Sequence, residues 1–225
     1  MAATSNPFAA PGTWLRCALH AHTTRSDGEL SPEELVSLYE RAGFDVLAIT
    51  DHWVRTEARS TDRLLVIPSS ELSCRLPGDA DGHLLALGIF GISADYSHHA
   101  ERDSGFAWVW TRVVERSAAA VLDALASGRF YSSTGPVLDE LHLDGASVEV
   151  SCSPCRRVTL CTGRKRGTSV SSGPSGYRYG GEVVSVSDDA EITRVRLERP
   201  PRSPYGRLEL VDRYGRKAWT NPLWG

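Results

Sequence analysis

One stretch of the chain decides the fold: residues 17–52 read CALHAHTTRSDGELSPEELVSLYERAGFDVLAITDH. A short apolar segment at its start ends in His20 and His22. A helix is predicted to begin after Ser31, because serine suits the N-cap, proline follows at the first helical position, and Glu34 completes a capping box. Apolar residues then recur at helical spacing, and Gly43 stands where a C-terminal cap belongs.

Three apolar runs of strand length follow this helix or lie downstream of it. Residues 46–50 form a continuous apolar run that leads into Asp51 and His52, and residues 64–68 lead to Glu71. A further run, residues 84–92, is preceded by His83. Continuous runs of this kind are typical of strands in a parallel sheet, so the pattern predicts an α/β fold. Ligand sites in such folds lie at the carboxyl ends of the strands, where all of these polar residues except His83 fall.

The pattern of apolar and polar residues changes in the second half of the chain. A helix is predicted between Ser117 and Ser127, and short alternating segments separated by turn residues begin near residue 137. We therefore expect a flexible N-terminal arm at residues 1–13, a metal-binding α/β domain at residues 14–136, and a small antiparallel β domain at residues 137–225.

Composition excludes several classes of protein. The 225 residues carry a net charge of −3, so we do not expect the protein to bind nucleic acids. No apolar run approaches the roughly 20 residues that a membrane helix needs. Residues 1–12 contain no lysine or arginine and no apolar core, unlike a secretory signal. Five cysteines, an odd count, favour reduced thiols and a cytoplasmic location.

The polar residues at the strand ends have the chemistry of a metal site. In His-x-His on a strand, both imidazoles point to one side, because strand side chains repeat every two residues. Taken singly, the His-x-His pair is consistent with two surface histidines that have no function. Each carboxylate alone is consistent with a turn residue or a solvated side chain. Imidazoles and carboxylates together suit zinc, manganese or iron. The candidate donors are His20, His22, Asp27, Asp51, His52 and Glu71.

These segments resemble the PHP family, named for polymerase and histidinol phosphatase. The resemblance rests on residues 19–23, 26–28, 30–34, 48–52 and 68–72. Residues 117–136 and 215–224 are similar to a bacterial branch of the family that includes the carbaryl-hydrolase-like metallohydrolases.

The resemblance implies a distorted (β/α) barrel that holds metal ions. By motif, His20 and His22 would bind one ion, Asp27 and His52 would bind another, and Glu71 would bridge them. Asp51 would orient the neighbouring ligands, and with His83 it forms the expected catalytic set. Family members hydrolyse phosphoesters, and some members of this branch cleave carbamate esters or amides.

The chain also departs from the family pattern. The segment in which a histidine ligand precedes proline has no counterpart, and roughly two or three βα units are missing. At the position of a final Asp-x-His pair, His98 fits the histidine and is the last expected metal ligand, but Tyr96 replaces the aspartate. We therefore expect an α/β fold with a partial PHP-type barrel. Its open edge would be covered by the β domain, by an aromatic segment or by a second copy in a homo-oligomer.

The expected function is that of a metal-dependent phosphoesterase. A water activated by one to three divalent ions (zinc, manganese or iron) would attack a small-molecule phosphoester or a related ester. The alternative is a catalytically degenerate PHP scaffold that binds a metal or a partner. A third and weaker hypothesis is a thiol redox or zinc module at Cys152 and Cys155.

Overall fold

A computed structural model describes residues 6–75, 81–85, 87, 105–163, 167–173, 176–201, 203 and 205–224. The chain divides into two compact units. The N-terminal unit is Pro11–Arg129, and the C-terminal unit combines Met1–Ala10 with Phe130–Gly225.

The N-terminal unit is built on a mixed sheet. Strands β1, β2 and β3 run parallel to one another, and β6 pairs antiparallel with β1, giving the order β6-β1-β2-β3. Strands β4 and β5 form a separate antiparallel hairpin. The elements are β1 (Thr13–Ala18), α1 (Pro32–Arg41), β2 (Val46–Ile49), β3 (Leu65–Pro68), β4 (Glu71–Arg75), β5 (Asp81–Leu85), β6 (Trp108–Val113) and α2 (Ala118–Ala126).

This topology shows that the expected (β/α) barrel of PHP type, even a partial one, is wrong. Strands outnumber helices among the described residues, whose α-helices are α1 and α2. Beyond β3, the parallel pairing is reduced to a single bridge between His52 and Glu71. Strands β4 and β5 are separated by residues 76–80 alone. A crossover to another parallel strand needs a dozen or more residues, so the chain continues as a hairpin instead of a further βα unit.

The local predictions for the two helices are confirmed. Ser31 caps α1: its Oγ accepts from the Glu34 N–H at 3.3 Å, and the Glu34 carboxylate accepts from the Ser31 N–H at 2.8 Å. The backbone then leaves the helix through Gly43, whose φ of 76° is accessible to glycine at little cost. Helix α2 is capped by Ser117. The buried face of α1 packs with the apolar residues of β2 in one core.

The C-terminal unit is antiparallel, as the alternating sequence predicts. Its two groups of paired strands have the orders β13-β14-β9-β8 and β12-β11-β10-β15-β16-β7. Alternate residues of β9, β14 and β15 are buried and form its core. The strands are β7 (Phe130–Ser133), β8 (Leu138–Leu143), β9 (Ser147–Cys155), β10 (Arg157–Thr162), β11 (Thr168–Ser171), β12 (Arg178–Tyr179), β13 (Gly181–Val186), β14 (Ile192–Glu198), β15 (Gly206–Val211) and β16 (Lys217–Thr220).

The described part of the chain contains no helix with the length and apolar character needed to cross a membrane.

Candidate metal centre

The ends of the three parallel strands bring the predicted donors together. The chain leaves β1 through Ala21, whose carbonyl accepts from the Thr50 N–H at 2.8 Å just after β2. It leaves β2 through His52, which forms an isolated parallel bridge with Glu71 beyond the end of β3. Two backbone hydrogen bonds fix this bridge: the Glu71 N–H donates to Asp51 O at 3.1 Å, and the Trp53 N–H donates to Glu71 O at 2.9 Å.

The first donor group consists of His20, His22 and Glu71. His20 Nε2 lies 2.8 Å from Glu71 Oε2 and 2.9 Å from His22 Nε2, and His22 Nε2 lies 2.9 Å from the same carboxylate oxygen. All three residues are buried. Ligand atoms bound at right angles to one ion, each at about 2.0–2.1 Å, lie about 2.9 Å apart, so this triangle fits a divalent cation.

The second donor group consists of His22, Asp27 and His52. Asp27 Oδ1 lies 3.2 Å from His22 Nδ1, and Asp27 Oδ2 lies 3.4 Å from His52 Nε2. The loop that carries Asp27 folds tightly against His22. Glycine at position 28 permits this approach, since a Cβ there would lie only 2.3 Å from the His22 carbonyl oxygen. The three ligand atoms lie within 4.8 Å of one another, so this group also has the geometry to hold an ion.

Glu71 lies between the two groups and uses both carboxylate oxygens. Oε2 faces His20 and His22, with His52 Nδ1 at 3.7 Å, while Oε1 contacts His83 Nδ1. Burial alone raises the pKa of the Glu71 carboxyl. Hydrogen bonds from His20 and His83 and the charges of His20 and His22 outweigh that effect, so the net pKa lies below its usual value. An ionised carboxylate in this position suits a bridging role.

The β4–β5 hairpin explains how His83 reaches the site although it does not follow a strand. Glu71 pairs with Leu85, and Ser73 pairs with His83. His83 is therefore a diagonal neighbour of Glu71 on the same face of the hairpin. The His83 side chain is 39% exposed, so it meets both the carboxylate and solvent.

Asp51 is fully buried and is surrounded by hydrogen-bond donors. The Thr23 N–H, the Thr23 hydroxyl and the Ser26 hydroxyl each donate to its carboxylate at 2.7 Å, and the Thr56 hydroxyl also donates to it. We refer to Thr23, Ser26 and Thr56 as the hydroxyl cage. It ties the segment after His22 and the loop before Asp27 to the end of β2.

The hydroxyl cage is the part of the site that sequence reasoning missed. Thr23 and Ser26 lie inside the motifs quoted above, but nothing marked their hydroxyls as functional. Thr56 lies in an irregular segment with no signal of any kind. His98, the remaining predicted ligand, lies outside the described residues, as does Tyr96.

Cys152 and Cys155, in the C-terminal unit, do not form a comparable centre. Cys152 and Cys155 are buried free thiols. A hydrogen bond with Cys155, together with burial, raises the pKa of the Cys152 thiol far above its usual value. Redox chemistry and zinc binding both require the thiolate, which this environment disfavours. Among the described residues, neither cysteine belongs to a group of three potential metal ligands.

Comparisons with known proteins add little to this geometry. No family model and no curated protein matches the chain. The fold is similar to the crystal structure of a two-domain protein from Bacteroides vulgatus ATCC 8482 that contains a predicted PHP-like metal-dependent phosphoesterase. The similarity has a TM-score of 0.41 at 11% sequence identity and covers 94% of this chain and 95% of that one. A TM-score and a sequence identity this low support no conclusion about function, so the argument for function rests on the donor groups.

Proposed function

We propose that the protein is a metal-dependent hydrolase that cleaves small phosphoesters. The triangle formed by His20, His22 and Glu71 carries this proposal. Two imidazole nitrogens lie 2.9 Å apart and face one carboxylate oxygen in a buried setting. If both nitrogens carried protons they would repel each other, and if neither did, the carboxylate would lose its donors. If only one carried a proton, the lone pair of the other nitrogen would face the carboxylate oxygen. A divalent cation satisfies all three groups at once.

Each residue has a role that follows from its position. His20 and His22 would hold one ion, Asp27 and His52 would hold a second, and Glu71 would bridge the two. A zinc, manganese or iron ion bound there would supply a water of lowered pKa and polarise the ester oxygen. The reaction then needs no protein nucleophile.

Two further residues would support the reaction, one by exchanging a proton and the other by positioning the metal ligands. His83, half-exposed beside Glu71 Oε1, would exchange a proton at its ring with solvent or with the leaving group. Asp51 does not contact the donor nitrogens in the triangle. It would position the ligands by holding Thr23 and Ser26, which flank His22 and Asp27.

Elemental analysis of the untagged full chain tests the proposal. Wild-type protein should contain at least one ion of zinc, manganese or iron per chain, and His20→Ala/His22→Ala should lose it. His142→Ala is the matched control, because this histidine is exposed on β8 in the other unit. Circular dichroism must show that all three proteins are folded.

Activity measurements complete the test. Metal-loaded wild type should hydrolyse simple phosphomonoesters, and the double variant should not. Equal metal content in all three proteins would show that the triangle is not the metal site. Bound metal without turnover of any phosphoester would favour the degenerate binding scaffold.

A further inference from the structure

Trp53 is an unusual residue at the rim of the donor groups. Its backbone has a φ of 58°, in the left-handed region, and Trp53 and Ala190 are the only non-glycine residues with positive φ in the described part of the chain. This conformation is a genuine outlier for a bulky side chain. Its occurrence therefore requires support from the surrounding structure.

The support comes from the metal-site residues themselves. Trp53 directly follows His52, and its N–H donates to the Glu71 carbonyl at 2.9 Å. Its Cα therefore lies about 3.8 Å from the Cα of His52. Glu71, which offers ligand atoms to the first donor group, thus also holds the backbone of Trp53 through its carbonyl.

Burial of the indole does little to offset the strain in the backbone. Trp53 is 67% exposed, and the neighbouring Val54 is 40% exposed. Folding gains little from an exposed indole at a position that glycine would occupy with less strain. An apolar, planar surface is thus presented to solvent by the residue that directly follows His52.

We propose that Trp53 is a substrate-contacting residue and that the ester taken by this site carries a planar ring on its alcohol portion, stacked against the indole. The inference rests on the proposed function, since it names the substrate class of the same site. Aromatic side chains hold flat apolar rings by offset stacking and by excluding water from both faces. With the phosphoryl group at the donor groups, the alcohol portion would extend toward the rim and meet the ring of Trp53.

Paired substrates isolate the contribution of the ring. Benzyl phosphate and ethyl phosphate both release primary alcohols, so the ratio of their kcat/KM values reports mainly on contacts to the ring. Trp53→Ala should lower the benzyl-to-ethyl ratio about tenfold, and Trp53→Phe should keep it within about twofold of wild type. Val114→Ala is the control, because it removes an exposed apolar side chain that follows β6, near the start of β1 and away from His20.

Binding of benzylphosphonate to the metal-loaded full chain gives a second readout that needs no turnover. Isothermal titration calorimetry should show about tenfold weaker binding to Trp53→Ala than to wild type. Hydrolysis of both esters with an unchanged ratio in Trp53→Ala would overturn the inference and leave the proposed function standing. Binding that depends on Trp53 without hydrolysis of either ester would support the inference and refute the proposed function. If wild type neither hydrolyses the esters nor binds benzylphosphonate, the inference is overturned.

Discussion

Replacing Thr56 with valine removes one hydroxyl from the cage around Asp51 while keeping the shape of the side chain. Thr56 is 4% exposed, so water cannot take the place of the lost donor. A hydrogen bond to a charged group contributes about 1.5–3 kcal/mol to the free energy of unfolding. Three donors to the carboxylate remain, and we expect a loss of about 2 kcal/mol.

Thr56→Ser is the matched control. It keeps the hydroxyl and removes a methyl group, which costs about 1 kcal/mol when buried. The valine variant should therefore be less stable than the serine variant, although its volume is closer to that of threonine. A purely packing role for Thr56 predicts the opposite order.

Urea denaturation measures the free energies, and hydrogen exchange at the Thr23 amide reports on the cage itself. This amide donates to Asp51 at 2.7 Å, so its exchange should accelerate in Thr56→Val. In an Asp51→Asn background the charge is gone, and the cost of Thr56→Val should shrink by about 1 kcal/mol. Equal stability of Thr56→Val and wild type, or the same cost in both backgrounds, would refute the reasoning.

Three other predictions follow from single contacts. Burial raises the pKa of Cys17 to about 12, so at pH 8 iodoacetamide should alkylate it far more slowly than the partly exposed Cys161, and equally fast labelling in mass spectra of the folded protein would contradict this. Tyr131→Phe should cost about 1–3 kcal/mol in urea unfolding, since the buried Tyr131 hydroxyl accepts from the Leu138 N–H at 3.0 Å and its loss leaves that donor unpaired. Ser31→Ala should cost about 1 kcal/mol by removing the cap of α1, whereas Ser31→Asp should cost almost nothing.

Local structure could be predicted from the sequence wherever the signal lies within a few residues. The cap at Ser31, the end of α1 at Gly43 and the apolar run of β2 each depend on neighbours along the chain, and all three are present. That the strands do not form a barrel could not be predicted in this way. A continuous apolar run does not reveal the direction of its partner strand. Residues 76–80, between β4 and β5, are too few for a crossover connection, so these two strands form a hairpin.

The donor groups were predictable for a similar reason. His20, His52 and Glu71 follow apolar runs, and the ends of parallel strands meet at one edge of a sheet. The contact of His83 with Glu71 depends on hairpin register, which the sequence does not specify. Threonine and serine are common in loops, so Thr56 could not be distinguished from any other turn residue.

The position of His22 makes the two donor groups interdependent. One of its ring nitrogens faces Glu71 and the other faces Asp27. A neutral imidazole carries a single proton, so a lone pair directed at the first group leaves an N–H directed at Asp27. That N–H would align the Asp27 carboxylate while preventing His22 from serving as a ligand there. Occupancy of one group thus changes the affinity of the other, and by thermodynamic reciprocity the second changes the first by the same factor. The ring of His22 would therefore make the two groups compete, so that an ion held in one group weakens the binding of an ion in the other.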